Sequence, residues 1–231
     1  MKYLIGNWKS NFNSKEAKDW IDAVKPHFVN PDNIKVVLCP GFIHLPFFQT
    51  NFPELTLGCQ YISPFPNGAY TGQVSSSMIK DLISYCIVGH SERRRYFKES
   101  NQDIFNQIDQ ALDSQITPII AVDRDNWHSQ LSIISQDKLE KSILMYEPPE
   151  AISTQVGPIG EGQAAPIDEV VEKIKEIKNE FSSKAIIYGG SVKSHNIEDF
   201  LSRSEIDGVL PGSASLNPEE WLKMIDLASD I

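Results

Sequence analysis

The chain has 231 residues, enough to bury a sizeable core and suited to one large α/β barrel or two small domains, and a single domain over 1–231 is the starting expectation. Its formal net charge of −10 argues against a nucleic-acid surface, and the one dense basic run, Arg93-Arg94-Arg95, is flanked by Glu92 and Glu99 as in a solvated, paired helix face. Cys39, Cys59 and Cys86 are odd in number, lie in apolar runs and form no C-x-x-C, so buried free thiols are expected and no zinc site, while no apolar run is long enough for a signal peptide or membrane span; a cytoplasmic protein without membrane partners follows.

Tyr3 to Gly6 predicts a short buried strand ending in Asn7-Trp8-Lys9, three residues able to point into a site. Asn13-Ser14 caps a helix through Ala17, Trp20, Ile21 and Val24, spaced for one apolar face, which stops before Pro26. Ile34 to Cys39 is apolar and β-branched like a strand covered on both faces, and Pro40-Gly41 ends it. A short helical piece near Leu45 to Thr50 and a third strand, Leu55 to Gln60, follow. The Gly- and Pro-rich loop Ser63 to Gly72 then precedes a helix around Ser76 to Leu82, and its length suggests a function.

Tyr85 to Gly89 is the fourth predicted strand, with His90 directly at its end. Ser91 to Glu99 is read as helical, and Ser100 or Asn101 starts a second helix through Ile104, Ile108 and Leu112. After the fifth strand, Pro118 to Val122, the polar segment has room for one short helix near Ser135 to Lys141, a shortened crossover. The next apolar run stops at Glu147 before Pro148-Pro149. This sets a carboxylate at the end of a rigid strand, a placement suited to a general base.

Ile167 to Asn179 is the clearest amphipathic helix, with Val170, Val171, Ile174 and Ile177 at helical spacing. Ala185 to Tyr188 is the seventh strand, closed by Gly189-Gly190-Ser191, and Asn196 to Leu201 a helix. Gly208 to Leu210 is the eighth strand, Gly212-Ser213-Ala214-Ser215 its glycine-led end, and a last helix begins at Asn217-Pro218.

Eight strands alternating with helices call for parallel pairing and right-handed crossovers, which close as a (β/α)₈ barrel. A doubly wound open sheet is the main alternative, though no G-x-G-x-x-G follows the first strand. In a barrel the carboxyl ends of all strands share one face, so Asn7, Lys9, His90, Glu147, Ser191, Gly212 and Ser213 converge. Carboxylate, imidazole and ammonium beside two glycine-led strand ends predict proton transfer next to a carbonyl in a phosphate-bearing substrate. Hydrolytic chemistry finds no G-x-S-x-G and no His pair at metal-ligand spacing.

The motifs Asn7-Trp8-Lys9, Cys39-Pro40-Gly41-Phe42, Gly68-Ala69-Tyr70-Thr71-Gly72, Gly89-His90-Ser91-Glu92-Arg93-Arg94, Tyr146-Glu147-Pro148, Tyr188-Gly189-Gly190-Ser191-Val192 and Asp207-Gly208 through Ala214-Ser215-Leu216 stand in this order. Together they resemble the triosephosphate isomerase family. The resemblance implies interconversion of dihydroxyacetone phosphate and D-glyceraldehyde 3-phosphate, with Glu147 as the base and His90 as a neutral imidazole donating to the carbonyl oxygen. That Glu and His pairing is itself the worked case of pKa tuning for this family. Lys9 is similar to the electrostatic clamp and Asn7 to the orienting group. Glu92 either holds Lys9 or is an ordinary helix charge pairing with Arg93 to Arg95.

The resemblance further implies that backbone amides of Ser153, Ser191, Gly212 and Ser213 hold the phosphate, that no metal or cofactor is required, and that Pro148 to Thr154 forms a lid. Glu150 stands where the family has Trp, Ser153 and Gln155 where it has glycines, and an insertion, 156–165, follows. Ser213 occupies the place of a second glycine, and Val122-Asp123 lacks the family's Cys. The loop 63–72 is similar to an arm that reaches into a neighbouring subunit, with Thr71 meeting its active-site rim, so a homodimer is expected. Two other readings stay open: a phosphate-binding barrel that has lost turnover, and another phosphosugar isomerase or lyase on the same fold. Retention of Asn7, Lys9, His90 and Glu147 favours the active isomerase.

Overall fold

In the computed structural model, which describes residues 1–148 and 164–231, eight parallel strands pair in sequence order and the last returns to the first. They are β1 (Lys2–Asn7), β2 (Ile34–Cys39), β3 (Thr56–Cys59), β4 (Tyr85–Val88), β5 (Thr117–Val122), β6 (Ile143–Tyr146), β7 (Ala185–Gly189) and β8 (Gly208–Leu210). Closure is made by the Tyr3↔Gly208 and Leu4↔Val209 pairs of β1 with β8, which removes the open-sheet alternative.

Alternation along the strands explains their unbroken apolar character. Tyr3, Ile5, Val37, Cys39, Ile87, Ile119, Met145, Ile187 and Leu210 form one buried cluster inside the barrel. The intervening Leu4, Val36, Leu38, Val88, Ile120, Leu144, Ile186 and Val209 belong to a second cluster shared with the helices. Each strand is therefore covered on both faces, and neither face can be polar. At the closing seam Gly208 has no room for a side chain, since a Cβ would stand 2.6 Å from Tyr3 Cβ and 2.8 Å from Tyr3 N.

The helices are α1 (Ser14–Val24), α2 (Leu45–Asn51), α3 (Ser76–Ile79), α4 (Ser91–Phe97), α5 (Asn101–Asp113), α6 (Trp127–Leu131), α7 (Gln136–Leu139), α8 (Ile167–Glu180), α9 (Ile197–Leu201) and α10 (Pro218–Ser229). Asn13 with Glu16, and Ser100 with Asp103, form reciprocal capping boxes that fix where α1 and α5 begin. Lys98, left-handed at φ +59°, ends α4.

Four expectations need correction. The β5–β6 crossover holds two short helices rather than one, because Asp123 Oδ1 accepts the amides of Asp125 and Asn126 and turns the chain into α6, which buries Trp127 and Leu131. α3 is a single turn that stops at Ile79, short of Leu82. Trp8 points away from the rim into an aromatic cluster with Phe12, Trp20, His44 and Phe48, with none of its surface exposed. The arginine run is paired as expected but only Arg95 is a solvated residue: Arg93 pairs with Glu99 at 2.7 Å and lies over the Tyr61 ring at 3.6 Å. Arg94 donates to Gly89 O, Asn101 Oδ1 and Gln130 Oε1 at 3.0, 2.8 and 2.6 Å.

The three cysteines are buried free thiols, as expected. Among the described residues no group of His, Cys, Asp and Glu is arranged to hold a metal ion, and no helix is long and apolar enough to cross a membrane.

Candidate active site

Barrel geometry brings the polar strand ends to one rim. Asn7 closes β1, His90 follows β4, Glu147 follows β6 at once, Ser191 follows β7, and Gly212 and Ser213 follow β8. Asn7, His90 and Glu147 are 4–5% exposed, the burial expected of groups held for chemistry rather than solvation. Glu147 remains tied to the sheet, because its N–H donates to Val122 O at 2.8 Å.

From Glu147 a continuous series of contacts runs around the rim. Its Oε1 lies 3.0 Å from His90 Nε2, and its Oε2 accepts the Ser91 N–H at 3.2 Å. On the far side of the ring, His90 Nδ1 accepts the Glu92 N–H at 3.2 Å. An amide can donate only to an unprotonated ring nitrogen, so this bond assigns the neutral ring's proton to Nε2, facing Glu147. His90 is the N-cap of α4, and the helix start supplies that amide. Glu92 Oε1 then accepts from Lys9 Nζ at 2.6 Å, rather than from Arg93 to Arg95. The empty Cβ position of Gly212 faces Lys9, 3.4 Å from Cε and 4.0 Å from Nζ.

Lys9 holds a left-handed backbone, φ +51°, that a residue with a side chain adopts at a cost. Side chains grip it from both ends. Asn7 Oδ1 accepts the Lys9 N–H at 3.0 Å, and Gln60 Nε2 donates to Lys9 O at 2.9 Å and to Cys39 O at 3.0 Å. Gln60 was not singled out from the sequence, where a glutamine after a strand carries no signal of a partner 51 residues away.

Electrostatics couple the buried pair. Burial pushes the His90 pKa down, but the Glu147 carboxylate against Nε2, helped by Glu92, outweighs it and the net direction is up. Burial pushes Glu147 up, yet His90 and the Ser91 amide hold it below the ordinary carboxylate value. The chief upward influence on His90 is therefore Glu147 itself. Once that carboxylate turns to a substrate, the Glu92 amide on Nδ1 and burial favour the neutral ring.

The loop after β7 is organised by Asn196, which donates to Ser191 O at 3.2 Å and accepts the Lys193 N–H at 2.8 Å. Ser153, the lid residues from Pro149 to Thr154, Glu150 and Gln155, and the insertion up to residue 163 lie outside the described residues. Phe65 and Tyr70 in the 63–72 loop stack at 4.6 Å and are exposed.

A carboxylate, a ring N–H and an ammonium are joined in one series of contacts along the rim, with the Gly212 backbone beside the ammonium. Such a group can move a proton between two adjacent carbons of a hydroxy-carbonyl compound and hold an anionic tail.

Comparison with known proteins agrees with that chemistry. The sequence profile of the family described as triosephosphate isomerase matches residues 2–228. The chain is 36% identical over 246 aligned positions, gaps included, to the triosephosphate isomerase of Polynucleobacter asymbioticus, covering 95% of this chain and 96% of that protein. It is 31% identical over 255 aligned positions to that of Francisella tularensis subsp. novicida, covering 100% and 98%, and 31% over 247 aligned positions to that of Natranaerobius thermophilus, covering 97% and 95%.

Proposed function

The chain belongs to the triosephosphate isomerase family and interconverts dihydroxyacetone phosphate and D-glyceraldehyde 3-phosphate, and we propose that the rim around Glu147 carries out this reaction. Glu147 takes a proton from the carbon next to the carbonyl. The C–H electron pair becomes the enediolate double bond, and the carbonyl electrons move to oxygen, which the His90 Nε2–H meets. His90 Nε2 gives its proton to that oxygen and takes the proton of the adjacent hydroxyl in its place. Glu147 returns the carbon-bound proton to the neighbouring carbon, so that the electron pair of the double bond forms the new C–H bond and the second oxygen becomes the carbonyl. The Lys9 ammonium offsets the developing negative charge, Glu92 holds that ammonium in place, and Asn7 fixes the Lys9 backbone. The phosphate rests on the main-chain amides of Gly212 and Ser213 with Ser191 beside them, and Ser153 is assigned to the same anion. No metal or cofactor enters, because the proton moves within one molecule.

One observation supports the roles above all others: Glu147 Oε1 at 3.0 Å from His90 Nε2, with Nδ1 already occupied by an amide. Before turnover both carboxylate oxygens are engaged, so substrate must draw Glu147 away from His90 and Ser91. The test is isomerisation in deuterium oxide. Product formed from either triose phosphate acquires solvent deuterium at the carbon next to the carbonyl, and Glu147→Gln abolishes both turnover and label. A purified chain that isomerises neither compound would refute the assignment.

We also infer a homodimer built through the 63–72 loop. The exposed Phe65–Tyr70 stack, together with the exposed Phe97 that lies with Tyr61 against the Arg93 guanidinium, leaves aromatic surface that a second copy would cover. A fully active monomer in dilute solution would overturn this. Residues 1–231 are read as one barrel domain. A cytoplasmic location is supported by the free thiols of Cys59 and Cys86, which stand as register partners on adjacent strands without being joined.

A further inference from the structure

Ser215 is wholly buried beneath the rim. Its N–H donates to Gly212 O at 3.0 Å, and its hydroxyl donates to the same oxygen at 2.7 Å. Two donors on one carbonyl fix the plane of the Gly212–Ser213 peptide, with the oxygen drawn back toward the core. In a trans peptide the N–H points opposite to the C=O, so the Ser213 N–H is turned outward to the exposed rim. As the first amide of the helical turn Ser213–Leu216 it has no partner within that turn.

We propose that Ser215 is the positioning residue of the phosphate subsite, aiming the Ser213 N–H at the anion beside the Lys9 ammonium; this rests on assigning the phosphate to the Gly212–Ser213 turn. Ser215 is itself held by its carbonyl, which accepts the indole N–H groups of Trp8 at 3.2 Å and Trp20 at 3.1 Å. Those two rings pack edge to face at 5.1 Å, and Trp8 lies in the chain between Asn7 and Lys9. The anion-binding turn and the lysine are thus carried on one aromatic wedge, which fixes the distance between the amide and the ammonium. Ser213 lies outside the left-handed region, so the serine found where the family has a glycine does not strain the turn.

The experiment uses the full chain with Ser215→Ala and Ser215→Thr. Substrates are D-glyceraldehyde 3-phosphate and unphosphorylated glyceraldehyde, with inorganic phosphate as competitive inhibitor. For Ser215→Ala, KM for the phosphorylated substrate and the inhibition constant of phosphate rise about three- to tenfold, the worth of roughly one hydrogen bond, while kcat stays within about twofold. Turnover of glyceraldehyde is unchanged, and Ser215→Thr restores phosphate affinity. Trp20→Phe, which keeps a ring but loses one donor to Ser215 O, shifts both constants in the same direction by less. Equal losses on the two substrates, or unchanged phosphate inhibition in both Ser215→Ala and Trp20→Phe, would reduce Ser215 to a fold-keeping role and overturn the proposal. Wild-type chain that isomerises triose phosphates yet is not inhibited by phosphate would overturn it too. A wild-type chain inert toward both triose phosphates would instead remove the parent assignment.

Discussion

Replacing Glu147 by Asp tests the base by distance alone. The substitution keeps the charge and removes one methylene, withdrawing the carboxylate by about 1.5 Å. The backbone cannot follow it, because the Glu147 N–H is bonded to Val122 O at 2.8 Å and Tyr146 is paired with both Val122 and Tyr188. Contacts now at 3.0 Å to His90 Nε2 and 3.2 Å to the Ser91 amide would stretch past about 4 Å, outside hydrogen-bonding range. A displacement of about 1 Å in a reacting group costs on the order of a hundredfold, or about 2.7 kcal/mol of barrier. Glu147→Asp is therefore expected to lower kcat at least about a hundredfold in both directions while KM moves by no more than a few-fold, since Lys9 and the Gly212–Ser213 turn are untouched. Initial rates from each triose phosphate, with phosphate competition as a binding control, give both numbers. A variant retaining kcat within about fivefold of wild type would exclude Glu147 as the base.

Stability should carry a matching pH signature. The lowered Glu147 pKa contributes stability above the unfolded carboxylate value of about 4.3, lost as pH falls through the folded one; the raised His90 pKa contributes stability below about 6.5, lost as pH rises through its folded value. The melting-temperature difference between wild type and Glu147→Gln should thus favour wild type most near pH 5 to 6 and shift against it toward pH 8, and a pH-independent difference would deny the coupling. Lys9→Met leaves the Glu92 carboxylate without its ammonium, and kcat/KM should fall by about ten- to two-hundredfold, the worth of a charged hydrogen bond, in steady-state assays. Gly208→Ala drives a Cβ into the Tyr3 backbone at the barrel seam, where overpacking costs about 1–3 kcal/mol or more, read as a fall in denaturation midpoint with kcat per folded molecule retained.

The strands were legible because two-sided burial writes itself as unbroken apolar runs; Ile34–Cys39 and Gly208–Leu210 come out with the bounds expected. Helices with a full apolar stripe, such as α1 and α8, were equally clear. α6 was not, since five residues give no period and its turn depends on the Asp123 side chain. Trp8 was misjudged although strand alternation held the answer: with Asn7 facing the rim, its neighbour must face the helices. Most rim residues announced themselves as polar groups where apolar runs stop. Gln60, Arg94 and Ser215 could not, because their partners meet only in the fold: the Lys9 and Cys39 carbonyls for Gln60, the Gln130 side chain for Arg94, and the Trp8 and Trp20 indoles for Ser215.

The paired grip of Trp8 and Trp20 on the Ser215 carbonyl has an optical consequence. Of the protein's four tryptophans, these two share a bonding partner within the segment proposed to cradle the anion. Any shift of that oxygen alters the field at both indoles, so on the proposed seating of the anion, titration with inorganic phosphate is expected to change ultraviolet emission without an attached dye, in the light the unmodified chain already gives off.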